Sequence, residues 1–232
     1  MSGGAVAGGA AVVGVTRVAV ASLQPGSVVA DGLVSSMQQI IDFVLELDKL
    51  KGITRRTRPL GLDRQENSAE HSWQIALLAS SMVQYAAAPV NIDHVIAMLL
   101  VHDIGEIDTG DTIAYAVAGW EERKAAELAA VARIFGLLTD PHRSRYLALW
   151  QEFEAGETAE SRFANAADRA MPVLLNLANN AQSWRENGIT HHRVVDRVSA
   201  QIEAGCPALW SYLEQRLHEA QRSGWFGSAH EV

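Results

Sequence analysis

The chain has 232 residues, of which 48% are hydrophobic and 20% are charged, and this composition excludes a disordered or fibrous protein. A formal net charge of −8 excludes a broad surface for nucleic acid polymers but allows a local cationic pocket for one small phosphate ester. The single cysteine, Cys206, excludes an internal disulfide, so nothing indicates an oxidising compartment.

The first thirty residues differ in composition from the rest of the chain. Glycine, alanine and valine dominate residues 1–30, and glycines and Arg17 interrupt the apolar run. A secretory signal or a membrane span would require an uninterrupted apolar run. We therefore predict a flexible Gly/Ala-rich leader over 1–30, a folded domain over 31–222 and a loose tail over 223–232. No targeting signal is recognised, so we expect a cytoplasmic protein that does not bind a membrane.

Beyond Asp31 the apolar residues recur at the three- and four-residue spacing of a buried helix face. No stretch alternates polar and apolar residues between hairpin turns, so we expect few strands or none. Glycine- and proline-containing breaks separate the periodic stretches, and no linker divides them into two domains. The sequence therefore predicts one all-α domain. Its helices are predicted over 37–50, 69–87, 92–101, 121–138, 143–154, 160–184, 194–202 and 208–220.

The first candidate site residue lies at the start of the second predicted helix. Asn67 is suited to cap this helix, and Glu70 can reach back to the backbone N–H of Asn67 in a capping box. His71 then falls in the first turn, on the same helix face as Ile75 and Met82. Because that face should turn toward the core, we expect the imidazole to point inward. Taken alone, this segment favours a core histidine bonded to one carbonyl.

A His-Asp pair ends the next apolar helix, where residues 98–106 read Met-Leu-Leu-Val-His-Asp-Ile-Gly-Glu. Gly105 is predicted to stop the helix, and both His102 and Asp103 continue its buried side. A buried carboxylate is costly unless a positive charge compensates it, and a divalent cation supplies such a charge. Since neighbouring positions on a helix point about 100° apart, both side chains can approach one ion only from the helix end.

A further acid, Asp168, lies on a helix that contains Pro172. Pro172 cannot donate the hydrogen bond that the Asp168 carbonyl would accept, so we predict a kinked or loosened helix at this point. An ion pair with Arg169 or a helix cap is the alternative role for Asp168. Two histidines and two aspartates together offer nitrogen and oxygen donors, which suit Mn, Fe, Co, Ni or Zn better than Ca.

Three segments of the chain resemble the HD-domain metal-dependent phosphohydrolases and, within them, the bacterial 5′-deoxynucleotidases and their relatives. The segments are Arg-Gln-Glu-Asn-Ser-Ala-Glu-His-Ser-Trp at 64–73, Leu-Leu-Val-His-Asp-Ile-Gly-Glu-Ile-Asp-Thr-Gly-Asp-Thr at 99–112 and Ala-Asp-Arg at 167–169. The similarity extends from about residue 45 to about residue 220. It implies an all-helical bundle, often a homodimer, with His71, His102, Asp103 and Asp168 as metal ligands.

The resemblance also implies that Glu106 and Asp111 assist the chemistry. Glu106 follows Asp103 by three residues, so its carboxylate can stand beside a metal and exchange a proton as water attacks phosphorus. Asp111 follows Gly110 and can hold a water or a sugar hydroxyl, while stabilisation of a turn is its alternative role.

A phosphate-binding arginine is implied in the segment before the His71 helix. Arg56 lies at the matching distance from His71, whereas Pro59 indicates a shift by one residue that would favour Arg55. Deoxynucleotidases of the family carry a tryptophan beside this arginine, which helps to exclude ribonucleotides. Here Thr57, or Arg56 under the shifted alignment, occupies that place, so the resemblance does not extend to deoxyribose selectivity. A solvated basic patch is the alternative for these arginines.

The number of metal ions follows from the histidines. Relatives with two metals use extra histidines between the His-Asp pair and the last aspartate, and this chain offers only His142 there. We therefore predict a mononuclear site that binds one divalent ion, Mn, Co, Ni, Fe or Zn, with Mg as an alternative.

The predicted function is hydrolysis of a small phosphomonoester, with nucleoside 5′-monophosphates as the expected substrate class, by metal-activated water. Nucleoside triphosphate triphosphohydrolase activity is the nearer alternative, and a non-catalytic binding module that keeps its metal for structure is the more distant one. Glu106 favours the enzyme, because a structural metal site needs no free carboxylate beside an open coordination position.

Overall fold

The computed structural model describes residues 27–111 and 120–226, and within these ranges it contains α-helices and no β-strand. The predicted all-α fold is confirmed. No helix in the described ranges is both long enough and apolar enough to cross a bilayer. The α-helices are α1 (Ser27–Leu47), α2 (Ser68–Met82), α3 (Ile92–Val101), α4 (Glu106–Thr109), α5 (Trp120–Phe135), α6 (His142–Ala155), α7 (Ala159–Ala178), α8 (Gln182–Glu186), α9 (His191–Gly205) and α10 (Pro207–Arg222).

The observed helix boundaries differ from the predicted ones at several ends, and α4 was not predicted. Two of the differences have a clear physical cause. The first helix begins at Ser27, so residues 27–30, which we expected in the leader, are helical. The periodicity missed this start because several apolar residues of α1 are exposed and do not mark a core-facing stripe. The single helix predicted over 160–184 is divided into α7 and α8, since Asn180 and Ala181 adopt positive φ angles of 51° and 57°, which no helix can accommodate.

The start of the predicted loose tail is packed against the domain. Phe226 stacks on Trp184 with ring centroids 4.8 Å apart, and the backbone N–H of Trp225 donates to the carbonyl of Ala220. Residues 223–226 therefore belong to the folded domain, because two aromatic rings gain burial there. Most of the predicted leader (1–26), the rest of the tail (227–232) and Thr112 of the second quoted segment lie outside the described residues.

The long helix α7 lies at the centre of the fold and contacts α2, α3, α6, α9 and α10. A capping box between Thr158 and Ser161 begins the helix, and it continues past Pro172 as one helix. Small residues on its buried face, among them Ala164 and Ala167, let the neighbouring helices approach closely. At Gly205 a Cβ atom would lie 2.1 Å from the Arg162 carbonyl oxygen, so only glycine permits the observed contact between α9 and α7.

Gly105 does not stop α3 in the way that we predicted. Its φ angle is −58°, an ordinary right-handed value, and it immediately precedes α4. A Cβ atom there would lie 3.3 Å from Val131 Cγ1 and 3.4 Å from the Glu127 carbonyl oxygen. The absence of a side chain therefore lets α5 pack against the turn that joins α3 to α4.

Candidate metal centre

The predicted capping box places His71 in the first turn of α2. The side chain of Asn67 accepts the Glu70 N–H at 2.9 Å, and the Asn67 N–H donates to Glu70 Oε1 at 2.8 Å. An isolated β-bridge between Thr54 and Asn67 ties this helix start to the preceding segment. His71 is fully buried there (0% exposed), as the sequence predicted.

The backbone at the end of α3 orients His102. Its Nδ1 lies 2.8 Å from the Leu99 carbonyl oxygen. Because a carbonyl can only accept, Nδ1 must carry the proton, and in the neutral ring Nε2 keeps its lone pair. A second-sphere bond of this kind is common for histidines that bind a metal through the other nitrogen. His102 Nε2 is buried and, although 3.0 Å from Asp103 Oδ1, does not form a hydrogen bond.

Asp168, from the middle of α7, completes a cluster with the two histidines. Its Oδ1 lies 3.0 Å from His71 Nε2 and 3.7 Å from His102 Nε2. One donor atom from each of the three residues lies within 4.8 Å of the others. Donors that bind one ion at about 2.1 Å and at right angles lie about 3.0 Å apart, so these spacings fit a common ion. The predicted residues from three separate helices are thus brought together.

Asp103 lies at the edge of this cluster and is held from its other side by Arg55. The Arg55 guanidinium donates from Nη1 to Asp103 Oδ2 at 2.7 Å, which leaves Oδ1 beside His102. Burial alone would raise the pKa of Asp103, but the charges of His102 and Arg55 lower it to about 2. Asp103 is therefore ionised in the buried site.

The carboxylates create an excess of negative charge around His102. Burial alone would lower the pKa of His102, yet Asp103 and Asp168 raise it to about 10. In the protein by itself a proton balances these carboxylates, and a divalent cation at the same place would supply that positive charge instead. Arg169 Nε lies 3.7 Å from Asp168 Oδ2, too far for a hydrogen bond. The expected alternative of an Asp168–Arg169 ion pair is therefore present beside the cluster, and the charge of Arg169 helps to lower the pKa of Asp168.

Glu66 is a buried member of the site that the sequence did not reveal. It is 1% exposed and accepts a 2.6 Å hydrogen bond from Thr57 Oγ1. Its Oε2 also lies 3.8 Å from Arg55 Nε and 3.8 Å from His71 Nδ1. Glu66 thereby links the segment that contains Arg55 to the start of α2, which carries His71. Nothing in the local pattern marks Glu66 as buried, since it precedes the helix that it supports.

Glu106 and Asp111 both lie beside the cluster. Ser68 Oγ donates to Glu106 Oε2 at 2.6 Å, and burial together with the charge of Asp103 raises the pKa of Glu106 to about 9. Burial and, among the neighbouring acids, Asp103 also raise the pKa of Asp111, although Arg55 opposes them. The raised pKa of Glu106 favours its protonated form at neutral pH.

A pocket with a cavity volume of about 180 Å³ opens beside Asp168. Its lining includes Arg55, Arg56 and Asp111 together with Asp168 of the cluster. Arg55 is largely buried, whereas Arg56 is exposed and its carbonyl accepts a hydrogen bond from Ser183 Oγ at 3.0 Å. Of the two predicted arginines, Arg55 is the one that contacts a residue of the cluster.

A comparison with protein families and curated proteins gives consistent matches. The HD domain model matches residues 47–210. The 5′-deoxynucleotidase HDDC2 of Xenopus laevis is 28% identical over 136 residues, which cover 56% of this chain and 66% of the relative. The same protein of Homo sapiens is 26% identical over 136 residues, with 56% and 65% covered. The matched part therefore spans about two thirds of the length of these relatives.

Solved structures share the fold. A predicted metal-dependent phosphohydrolase from Magnetospirillum magnetotacticum MS-1 superposes with a TM-score of 0.77 at 42% identity, covering 84% of this chain and 100% of that chain. An HD-domain phosphohydrolase from Listeria innocua superposes with a TM-score of 0.53 at 18% identity and covers 79% of this chain and 86% of that chain. At this lower identity the likeness concerns the fold alone.

Proposed function

The chain belongs to the HD-domain family, and we propose that it is a metal-dependent phosphohydrolase that releases phosphate from nucleoside 5′-monophosphates. The observation that carries this proposal is the convergence of His71, His102, Asp103 and Asp168 beside a pocket lined by arginines. The likeness to 5′-deoxynucleotidases and to a metal-dependent phosphohydrolase supports the substrate class and the need for a metal.

The proposed ligands of one divalent ion are His71, His102, Asp103 and Asp168. Two imidazole nitrogens and two carboxylate oxygens suit Mn, Fe, Co, Ni or Zn, with Mg as an alternative. When bound, such an ion polarises a phosphoryl oxygen and lowers the pKa of water toward neutrality. Its fit to the site rests on the buried Nε2 of His102, which Leu99 orients and which has no hydrogen bond among the described residues.

Arg55 is the proposed phosphate-binding residue. A guanidinium carries five N–H donors, so it can bond to Asp103 through Nη1 and still bind a phosphoryl oxygen. Arg56 is exposed and also lines the pocket, and we propose that its charge attracts the phosphate. With Arg55 in this role, Arg56 takes the place of the tryptophan that the family's deoxynucleotidases carry. We therefore propose that ribonucleotides and deoxyribonucleotides are both accepted.

Glu106 is the proposed general base and acid. It would accept a proton from the attacking water and return a proton to the leaving oxygen of the sugar. The Ser68 hydroxyl orients its carboxylate, and a cation in the site would lower the high pKa that burial and Asp103 impose. Asp111, on the wall of the pocket, would position the water or a sugar hydroxyl.

The proposal includes a homodimer in the cytoplasm that acts on a small phosphoester and not on a nucleic acid polymer. The net charge of −8 supports the small substrate. Support for the dimer comes from the apolar surface of α1, where Val34 is 69% and Met37 58% exposed, since large apolar patches usually mark interfaces. Light scattering on wild type and on Met37→Glu tests this, and a wild-type monomer would exclude the dimer.

The enzyme activity is tested by phosphate release from ribo- and deoxyribonucleoside mono- and triphosphates, after metal removal and the separate return of Mn, Co, Ni, Zn or Mg. We expect inorganic phosphate from monophosphates with at least one of these ions. Glu106→Gln should lose about 10²- to 10⁴-fold in turnover while retaining bound metal. The matched control is Glu203→Gln, which changes an exposed carboxylate on α9.

Each of the other outcomes identifies a different function. Release of triphosphate from nucleoside triphosphates would identify a triphosphohydrolase. Stoichiometric metal without turnover of any of these substrates would favour the binding module. Full activity of Glu106→Gln would exclude the proposed proton transfer.

A further inference from the structure

Much of the lining of the pocket beside Asp168 is apolar. The apolar side chains in its lining come from α7, α8 and α9 and from the turn before α9: Pro172, Val173, Trp184, Ile189, Val194 and Val198. We call the part that they line the inner pocket, and Arg169, Asn176 and Arg197 from α7 and α9 are polar residues of the same lining. An apolar cavity of about 150 Å³ is sufficient to bind benzene. The cavity volume of about 180 Å³ therefore suits one ring system, while the rest of a substrate would extend toward the cluster.

Trp184 is held in a fixed orientation at this inner wall. It is buried, and Phe226 stacks on its indole with an interplanar angle of 15°. A tryptophan supported from behind in this way loses little conformational entropy when a ligand ring packs against it. The inner pocket thus offers an aromatic side chain in a preformed position.

Asn176 adds one polar feature to the inner pocket. It is 4% exposed, lines the cavity, and donates from Nδ2 to the Pro172 carbonyl oxygen at 2.9 Å. Because that carbonyl can only accept, the amide orientation is fixed with Oδ1 on the other side. Oδ1 is buried and has no hydrogen-bond partner in the described structure, and a buried acceptor of this kind normally has one. The neighbouring Ser183 hydroxyl is already bonded to the Arg56 carbonyl.

We propose that the inner pocket binds the nucleobase, with its ring packed against Trp184 and Val173 and an N–H of the base donated to Asn176 Oδ1. This inference rests on the proposed function and names the part of the substrate that confers specificity. Adenine, cytosine, guanine and thymine all carry at least one N–H donor. A single acceptor therefore admits all four bases and discriminates against a ring that lacks a donor.

The test uses three non-hydrolysable phosphonates in which a CH₂ group replaces the 5′ oxygen: one with adenine, one with unsubstituted purine, and one with ribose alone. Their binding to the Mn-loaded protein is measured by calorimetry. Removing the whole base should weaken binding about tenfold or more, because a base that packs on an aromatic side chain contributes substantially. Removing only the amino group should weaken it about three- to tenfold.

Substitutions test which residues cause these differences in binding between the phosphonates. Asn176→Leu should bind the adenine and purine phosphonates equally, whereas Asn165→Leu, a change on the same helix away from the pocket, should retain the wild-type preference. Asn165 is matched because its amide also donates to backbone carbonyls, those of Phe153 and Ser161. Val173→Phe fills the cavity, so it should remove the advantage of the base while leaving the ribose phosphonate unaffected.

The calorimetric result is separate from the proposed activity. Base-dependent binding without any phosphate release would retain the inner site and refute the hydrolase. Turnover of nucleotides with equal binding of the adenine and ribose phosphonates would retain the hydrolase and overturn this inference. Tighter binding of a base-free ribose bisphosphate would likewise overturn it, because Arg169 and Arg197 also line the pocket and would then bind a second phosphate.

Discussion

The metal end of the domain and the contact between α7, α9 and α10 are both buried but use opposite chemistry. At the metal end His71, His102 and Asp168 are buried polar groups whose donor atoms converge on one point. At the helix contact Ile202 and Leu213 are fully buried among other apolar residues. The apolar groups pack against one another, whereas the charge of the polar cluster would be compensated by the proposed cation.

One helix connects these two regions. α7 meets Gly205 through its first turns, carries Asp168 at its middle and lines the pocket through Asn176 near its end. A site built on a rigid element is positioned more precisely than one built on loops. The apolar contact thus positions Asp168, and the proposed cation would only compensate charge. Separate perturbations of the two regions test this division.

The largest effect is expected from Asp168→Asn. The change removes a carboxylate oxygen that lies 3.0 Å from His71 Nε2 and 3.7 Å from His102 Nε2 and leaves the helix packing untouched, so metal binding should be lost. Phosphate release should fall by about 10³-fold or more, because removal of a catalytic centre commonly costs this much. Bound metal is measured by mass spectrometry and helix content by circular dichroism. Asp196→Asn, at an exposed position of α9, is the control, and normal metal content in Asp168→Asn would refute the assignment.

Removal of the metal should affect the two regions of one molecule differently. With free ion at 100 times its Kd, binding stabilises the folded state by about 2.7 kcal/mol. Chelation should therefore lower Tm, and amide exchange should accelerate at the start of α2 and the end of α3. Exchange in α9 and α10 should change little. A uniform increase in amide exchange across all helices would show that the cation stabilises the whole domain. It would contradict the separate roles proposed for the two regions.

The sequence predicted the metal end better than it predicted the helix contacts. The capping box at Asn67 and the His-Asp pair at the end of α3 depend on neighbours a few residues away, so their local geometry follows from the pattern. Asp168 required the family resemblance, because its partners lie far away in sequence. Glu66 and the true role of Gly105 depend on which segments meet across space, and no local period carries that information.

Gly205→Ala tests the apolar region. A Cβ at this position would lie 2.1 Å from the Arg162 carbonyl oxygen and 2.6 Å from its carbon, so α9 must move away from α7. We expect a loss of about 2 kcal/mol in the free energy of unfolding, measured by urea denaturation. Gly52→Ala is the control, because no atom lies within 4 Å of its Cβ position. Metal content per folded molecule should remain normal, and its loss would show that the two regions are coupled.

Thr57→Val has the smallest expected effect. It tests whether the hydrogen bond between Thr57 and Glu66 helps to orient the proposed metal ligands. The change keeps the side-chain shape but removes the donor of the 2.6 Å bond to the buried Glu66. We expect a loss of about 1 kcal/mol in stability and a tenfold or greater weakening of metal binding, the usual result when an outer partner of a metal site is lost. Thr54→Val, an exposed change in the same segment, should alter neither quantity. If Thr57→Val lost the expected stability but kept its metal affinity, the prediction would be contradicted. Thr57 and Glu66 would then stabilise the fold without orienting the metal ligands.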